Sequence, residues 1–184
     1  RRRPGAVCAL WRSDERDARP DRRRAARHRR RQRADGGTGS ARARVRGRGQ
    51  TIELRVADDG YEPDRCKANT DRLIKDGVFA LFGYIGTPTS LAALPLASTA
   101  QVPFIAPFTG AQALREPFNR IAFHVRASYF DETAEIVKQV TSIGAKRIAV
   151  FHQNDSCGKA GLDGVLRALK PLNLEPAALG TVER

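Results

Sequence analysis

The chain has 184 residues, enough for a domain with a real core, and its formal net charge of +13 at first suggests a polyanionic partner such as nucleic acid or a membrane surface. Divided at Gln50, that reading fails for most of the protein. Residues 1–50 carry 18 arginines, no lysine and 5 acidic residues, whereas the remainder carries 15 basic and 15 acidic residues and is neutral. Three cysteines, Cys8, Cys66 and Cys157, are too few and too scattered for a disulfide framework or a zinc site, and no apolar run reaches the ~18 residues of a membrane-spanning helix.

The apolar residues 6–11 make too short a run for the core of a secretory signal, so no signal peptide is visible. The stretch Arg22-Arg23-Arg24-Ala25-Ala26-Arg27-His28-Arg29-Arg30-Arg31 reads in three ways: a disordered basic arm that neutralises phosphates, a low-complexity tail without a partner, or the product of a shifted reading frame. An Arg/Ala/Gly-dominated stretch without lysine is what GC-rich DNA tends to give out of frame. Moving each codon boundary one base downstream allows residues 5–24 to read GQSAPFGGPMSGMHAQIAAG. Residues 1–50 are therefore expected to be an Arg-rich, low-complexity segment, disordered or frameshift-derived.

From residue 51 the pattern becomes regular. Thr51-Ile52-Glu53-Leu54-Arg55-Val56-Ala57 alternates apolar and polar as a strand does, and Asp58-Asp59-Gly60 closes it as a turn. The spacing predicts a helix over 63–76, opened by Pro63 and ended by Gly77, then a buried strand over 78–82. A helix from Pro88, a strand over 102–106 and a short strand within 120–125 follow. Next comes a helix over 130–143, announced by Ser128 and Asp131 at capping-box spacing. A strand over 147–151, a helix stopped near Pro171 and a strand from about Ala177 complete the order. Strand and helix alternating at this pitch imply an α/β fold with a doubly wound parallel sheet, in which ligands bind at the carboxyl ends of the strands.

Three such loops are candidates. In Gly83-Tyr84-Ile85-Gly86-Thr87-Pro88-Thr89-Ser90, Thr87 stands at the N-cap and Pro88 at N1, leaving backbone N–H groups and hydroxyls for a carboxylate. Thr87 also suits the plain role of capping its own helix, and the two are compatible. In Phe108-Thr109-Gly110, the glycine permits close backbone approach, Thr109 offers a hydroxyl and Phe108 an apolar wall; a plain turn is the alternative. The third loop runs from His152 to Lys159. Its Gly158-Lys159 pair lacks the earlier glycine of a phosphate-binding loop, because Gln153 stands there. Cys157 has no histidine brought to it by the sequence, and a structural or idle role outweighs a nucleophilic one. The histidines lack metal-ligand spacing, and no cofactor is indicated.

In order and spacing these loops resemble the periplasmic substrate-binding proteins of ABC importers, of the branched-chain amino acid class. The residues that carry the resemblance are Asp58-Asp59-Gly60-Tyr61-Glu62-Pro63, Asp76-Gly77-Val78-Phe79-Ala80-Leu81-Phe82-Gly83, Gly86-Thr87-Pro88-Thr89-Ser90, Val102-Pro103-Phe104-Ile105-Ala106-Pro107 and Lys146-Arg147-Ile148-Ala149-Val150. The resemblance implies two lobes closing on a small ligand, an amino acid or related carboxylate or amide, and delivery to a membrane permease from the periplasm. It implies ligand contacts at Tyr84, Thr87, Thr89, Phe108, Thr109, Gly110 and Cys157, with binding and no catalysis. Gly110 and Cys157 depart from the family pattern, which leaves amino-acid specificity open.

Residues 51–184 are thus expected to form the first lobe, with the second lobe absent. The family's first strand and helix are expected to be replaced by the Arg-rich irregular segment, and the out-of-frame peptide resembles that missing strand-end loop. The strands over 51–57 and 78–82 would then stand about 9–10 Å apart with unpaired ladder groups, and the chain would fold and bind poorly. The rival from another class is a ligand-sensing lobe of a regulator joined to a basic nucleic-acid-binding arm. It requires a helix-turn-helix pattern that residues 1–50 do not show. An enzyme ranks third, for want of a convergent acid, base or nucleophile set.

Overall fold

A computed structural model describes residues 6–13, 41–47 and 50–183, with side chains described from residue 52. The elements, in chain order, are β1 (Ala6–Ser13), β2 (Ala41–Gly47), β3 (Gln50–Asp58), α1 (Pro63–Lys75), β4 (Ala80–Phe82), α2 (Thr87–Ala100), β5 (Phe104–Ile105), β6 (Ala122–Phe123), α3 (Tyr129–Ser142), β7 (Ala149–Gln153), α4 (Ser156–Leu169) and β8 (Ala178–Val182). From β3 onward each expected element is present, and α1, α3 and α4 lie within a residue or two of the positions their end signals predicted.

The strands form two sheets. The larger has the order β2-β3-β1-β4-β5-β6, and β7 and β8 pair by themselves in parallel. The fold is α/β, with parallel strands β4, β5 and β6 in the main sheet. Beside β4 the pairing turns antiparallel: β1 runs against both β3 and β4, and β2 against β3.

This corrects the expected gap. Ala6–Ser13 occupies the place between β3 and β4 that the sequence left empty, aligning Ala6 with Asp58, and Cys8 with both Val56 and Phe82. The apolar run Ala6-Val7-Cys8-Ala9-Leu10-Trp11, too short for a signal, is long enough for a central strand, and its backbone groups pair the two neighbouring ladders. The physical ground for expecting poor folding is thereby removed. The expectation of disorder also fails for residues 41–47, which form β2 against β3; the rest of the Arg-rich segment lies outside the described residues.

The single sheet expected over 51–184 is also two. Strands β5 and β6 are two residues long, and the chain leaves them at Phe123 to build the β7–β8 pair, with α4 packed on β7 and α3 packed on α4.

The core of the main sheet lies under α1 and α2, where Cys66, Leu73, Leu81, Tyr84, Ala93, Phe104 and Ile121 are buried together. Helix α1 places Cys66, Thr70 and Leu73 on its inner face at i, i+4, i+7 spacing. Helix α3 begins with the capping box the sequence announced: Asp131 N donates to Ser128 Oγ at 3.1 Å, and Ser128 N donates to Asp131 Oδ2 at 3.3 Å. Among the described residues no helix is long and apolar enough to cross a membrane.

Candidate functional site

The first two candidate loops are zipped together at the carboxyl ends of β4 and β5. Phe108 N donates to Tyr84 O at 2.6 Å and Gly86 N to Phe108 O at 3.4 Å, with a parallel bridge between Ile85 and Phe108. Gly86, rather than Thr87, is the N-cap of α2, with φ +95 in a region open to glycine. Thr87 is therefore N1, and its hydroxyl is not spent on its own helix. It lies 2.6 Å from the Thr109 hydroxyl, with both side chains about 1% exposed. Thr109 Oγ1 also accepts from Ala111 N at 3.2 Å. This buried hydroxyl pair at a helix start is a donor set that suits a carboxylate.

The second sheet's elements face this pair. Tyr129 is the first residue of α3, and its N–H donates to Gly110 O at 2.7 Å. Gly110 is needed for that approach, since a Cβ there would lie 2.6 Å from Tyr129 Cδ1 and 2.8 Å from its nitrogen. The Tyr129 hydroxyl meets Cys157 Sγ at 3.3 Å, next to the start of α4. Burial, then the bond to Cys157, pushes the Tyr129 phenol up from its ordinary pKa. The Phe108 ring is 64% exposed, and the Arg126 guanidinium carbon stands 5.3 Å from its centroid and 5.2 Å from that of Tyr129. Two 2.7 Å bonds from Arg126 Nε and Nη2 to Glu132 fix the guanidinium and hold the Glu132 carboxyl below the usual carboxylate range.

Of the expected contact residues, Thr87, Phe108, Thr109, Gly110 and Cys157 come together here; Tyr84 and Thr89 do not. Tyr84 is fully buried, its hydroxyl 2.8 Å from Thr70 Oγ1 and its ring 4.6 Å from that of Phe104. It is a core strut. Thr89 is also buried and donates to the carbonyls of Ile85 and Gly86 at 2.5 and 3.1 Å, inside its own first turn. Tyr84→Phe is accordingly expected to lower stability by about 1 kcal/mol, read by denaturant titration, and to leave ligand affinity unchanged; a large loss of affinity at unchanged stability would return Tyr84 to the site.

Four residues beside this cluster were not among the expected contacts: Arg126 and Tyr129, and the pair Tyr61 and Asp155, whose side chains meet at 3.3 Å. Tyr129 was signalled by the capping box, which fixes it at N1, and Tyr61 by its place in the Asp58-Asp59-Gly60-Tyr61 turn at the end of β3. The two described histidines lie apart, each on a backbone carbonyl: His124 Nε2 at 3.1 Å from Leu114 O, His152 Nδ1 at 3.0 Å from Gln153 O. Among the described residues no group of His, Cys, Asp and Glu could hold a metal ion. A cavity of about 360 Å³ opens between α3 and α4, lined by Phe130, Val137, Arg167 and Leu172 among others, and shares no residue with the cluster above.

Comparison with known proteins agrees with this architecture. The family model described as periplasmic binding protein matches residues 24–183. Among curated proteins, none matches. Solved structures do. A possible leucine/isoleucine/valine-binding protein from Rhodopirellula baltica SH 1 is 39% identical with a TM-score of 0.64, over 68% of this chain and 35% of that one. A substrate-binding periplasmic protein from Ralstonia solanacearum is 28% identical with a TM-score of 0.65, over 69% and 36%. An ABC-transporter solute-binding protein from Rhodopseudomonas palustris BisB5, solved with 3,4-dihydroxy benzoic acid, is 26% identical with a TM-score of 0.61, over 68% and 35%. The chain thus spans about a third of the length of the solved relatives it matches. With the fold, the order of its loops and the family match in agreement, the chain belongs to the periplasmic binding protein family.

Proposed function

We propose that this chain is part of the solute-binding component of an ABC importer and holds a small carboxylate, an amino acid or a related acid or amide, without chemistry. The observation that carries the reading is the Thr87–Thr109 hydroxyl pair at the start of α2, faced across the junction of the two sheets by Tyr129 and Cys157. Oriented hydroxyls and helix N-terminal amides satisfy an anion by hydrogen bonds and dipole without a counter-charge. Solved relatives with printed solute-binding roles support it, among them the leucine/isoleucine/valine-binding type and the ABC-transporter type. A permease partner and a periplasmic location belong to the same proposal.

An aromatic carboxylate is the second reading. It is favoured by the exposed Phe108 ring with Arg126 stacked between it and Tyr129, and by the relative solved with 3,4-dihydroxy benzoic acid. Calorimetry with a panel of branched-chain amino acids and hydroxybenzoates tests both. Thr87→Val with Thr109→Val removes both hydroxyls at once, so neither is left unpaired; the buried Ala111 N–H loses its acceptor, at about 1–3 kcal/mol of stability, which denaturant titration reads separately from affinity. Affinity for the ligand of the panel should fall about 100-fold, the worth of two hydrogen bonds to a charged group. Unchanged affinity in the double variant would sink the assignment.

A further inference from the structure

One hydrogen bond joins the two sheets through side chains that no ligand-contact expectation included. The Tyr61 hydroxyl, from the turn after β3, donates to Asp155 Oδ2 at 3.3 Å, from the turn between β7 and α4, 94 positions along the chain. Both ends are rigidly mounted. Tyr61 sits at φ +64, and its N–H donates to Asp59 Oδ1 at 2.8 Å, a carboxylate that is itself 1% exposed. Its ring lies flush on Gly86: any Cβ there would overlap Tyr61 Cε2 and come within 2.7 Å of Cζ. Asp155 in turn accepts from Gly158 N at 2.9 Å, capping α4, and from Gln153 Nε2 at 2.8 Å.

A side chain fixed in this way cannot follow its partner if the sheets separate. The bond therefore exists only when the junction is closed, and it contributes to closure whether or not a solute is present. We propose that Tyr61 and Asp155 form a closure latch, which raises the population of the closed junction in the ligand-free protein and so sets how tightly a solute is retained. This rests on the solute-binding reading. By linkage, a bond made only in the closed form lowers the free energy that the ligand must supply to close it. Burial, and then the nearby Cys157 and Asp155, push the Tyr61 phenol well above its ordinary pKa, so the hydroxyl keeps its proton and donates throughout the neutral range.

Half-buried Cys157, bonded to Tyr129 beside the latch, supplies the readout. The full chain, without solute, is treated with iodoacetamide, and the labelling rate of each cysteine is followed by peptide mass spectrometry. Tyr61→Phe keeps the ring against Gly86 and loses only the donor. Asp155→Ser keeps a capping oxygen for α4 but falls short of Tyr61. Each is expected to raise the Cys157 rate about fivefold, the fold-change of one net hydrogen bond, while Cys66, fully buried, stays unlabelled as a check of the fold. The double variant should label no faster than either single one, because both remove the same bond. Parental rates in both single variants, or multiplying effects in the double, would overturn the latch. Because no solute is present, that result is distinguishable from failure of the hydroxyl-pair substitution to weaken binding.

Discussion

Phe104→Ala should lower stability by about 3–5 kcal/mol, the loss expected when a fully buried phenylalanine leaves a cavity. Phe104 is 1% exposed and stands at the point where the main sheet is narrowest, in a strand of two residues. Its N–H donates to Ile121 O at 2.8 Å, holding β6, while Leu81 N donates to Pro103 O at 2.8 Å, holding β4. Its ring is tilted 49° against Tyr84, which in turn bonds Thr70 on α1. Few ladder bonds are available here to absorb a shift, so the surroundings cannot collapse onto the cavity without parting β4 from β6. For a chain of this size the loss corresponds to a fall in Tm of roughly 6–20 °C. Guanidinium denaturation followed by circular dichroism measures it, and a change below 1 kcal/mol would mean that β5 does not join the two strands as described.

The second large effect is expected at the start of α4. Gly158 lies against the backbone of Gln153, and a Cβ there would overlap the Gln153 carbonyl oxygen and come within 2.9 Å of its carbon and nitrogen. The obstruction is main chain, which cannot rotate away as a side chain does. Gly158→Ala should therefore push the first turn of α4 off β7, at about 3 kcal/mol, and stretch the Gly158 N to Asp155 Oδ1 cap of 2.9 Å. Amide hydrogen exchange would show it as lost protection confined to the first turn of α4 and the end of β7. Protection equal to that of the parent chain would argue that the turn is looser than the geometry implies. The loss should extend to the Tyr61 contact, since Asp155 is displaced with the cap.

Much of the path from residues to site was legible because it depends on local signals. The 3.6-residue spacing of Cys66, Leu73 and Ile74, the Ser128–Asp131 pair and the proline and glycine at the ends of α1 each act within a turn or two of chain. The Thr87 and Thr109 loops could be placed at strand ends because they follow apolar runs that read as buried strands. What escaped notice depends on distant partners. A six-residue apolar run such as 6–11 says nothing of the strands it will separate, and an arginine-rich neighbourhood obscures it. Two-residue strands such as β5 and β6 leave too little pattern to show where one sheet ends and another begins. The side taken by the Tyr84 ring was hidden for a different reason. Gly83, at φ +69, breaks the strand just before it, so period-two counting no longer tells which side the ring takes.

The direction of β1 has a practical consequence. Because Ala6 aligns with Asp58 and Ser13 with Thr51, polypeptide enters this strand at the end of the sheet where the Asp58 to Tyr61 turn begins and leaves it at the far end. A parallel strand in the same slot would do the reverse. A fluorophore or tether joined ahead of Ala6 would thus report from the rim that carries the proposed site, without any cysteine being introduced near Thr87. An affinity tag in the same place would stand beside the region it is meant to leave undisturbed, so a tag for binding measurements belongs at another point of the chain.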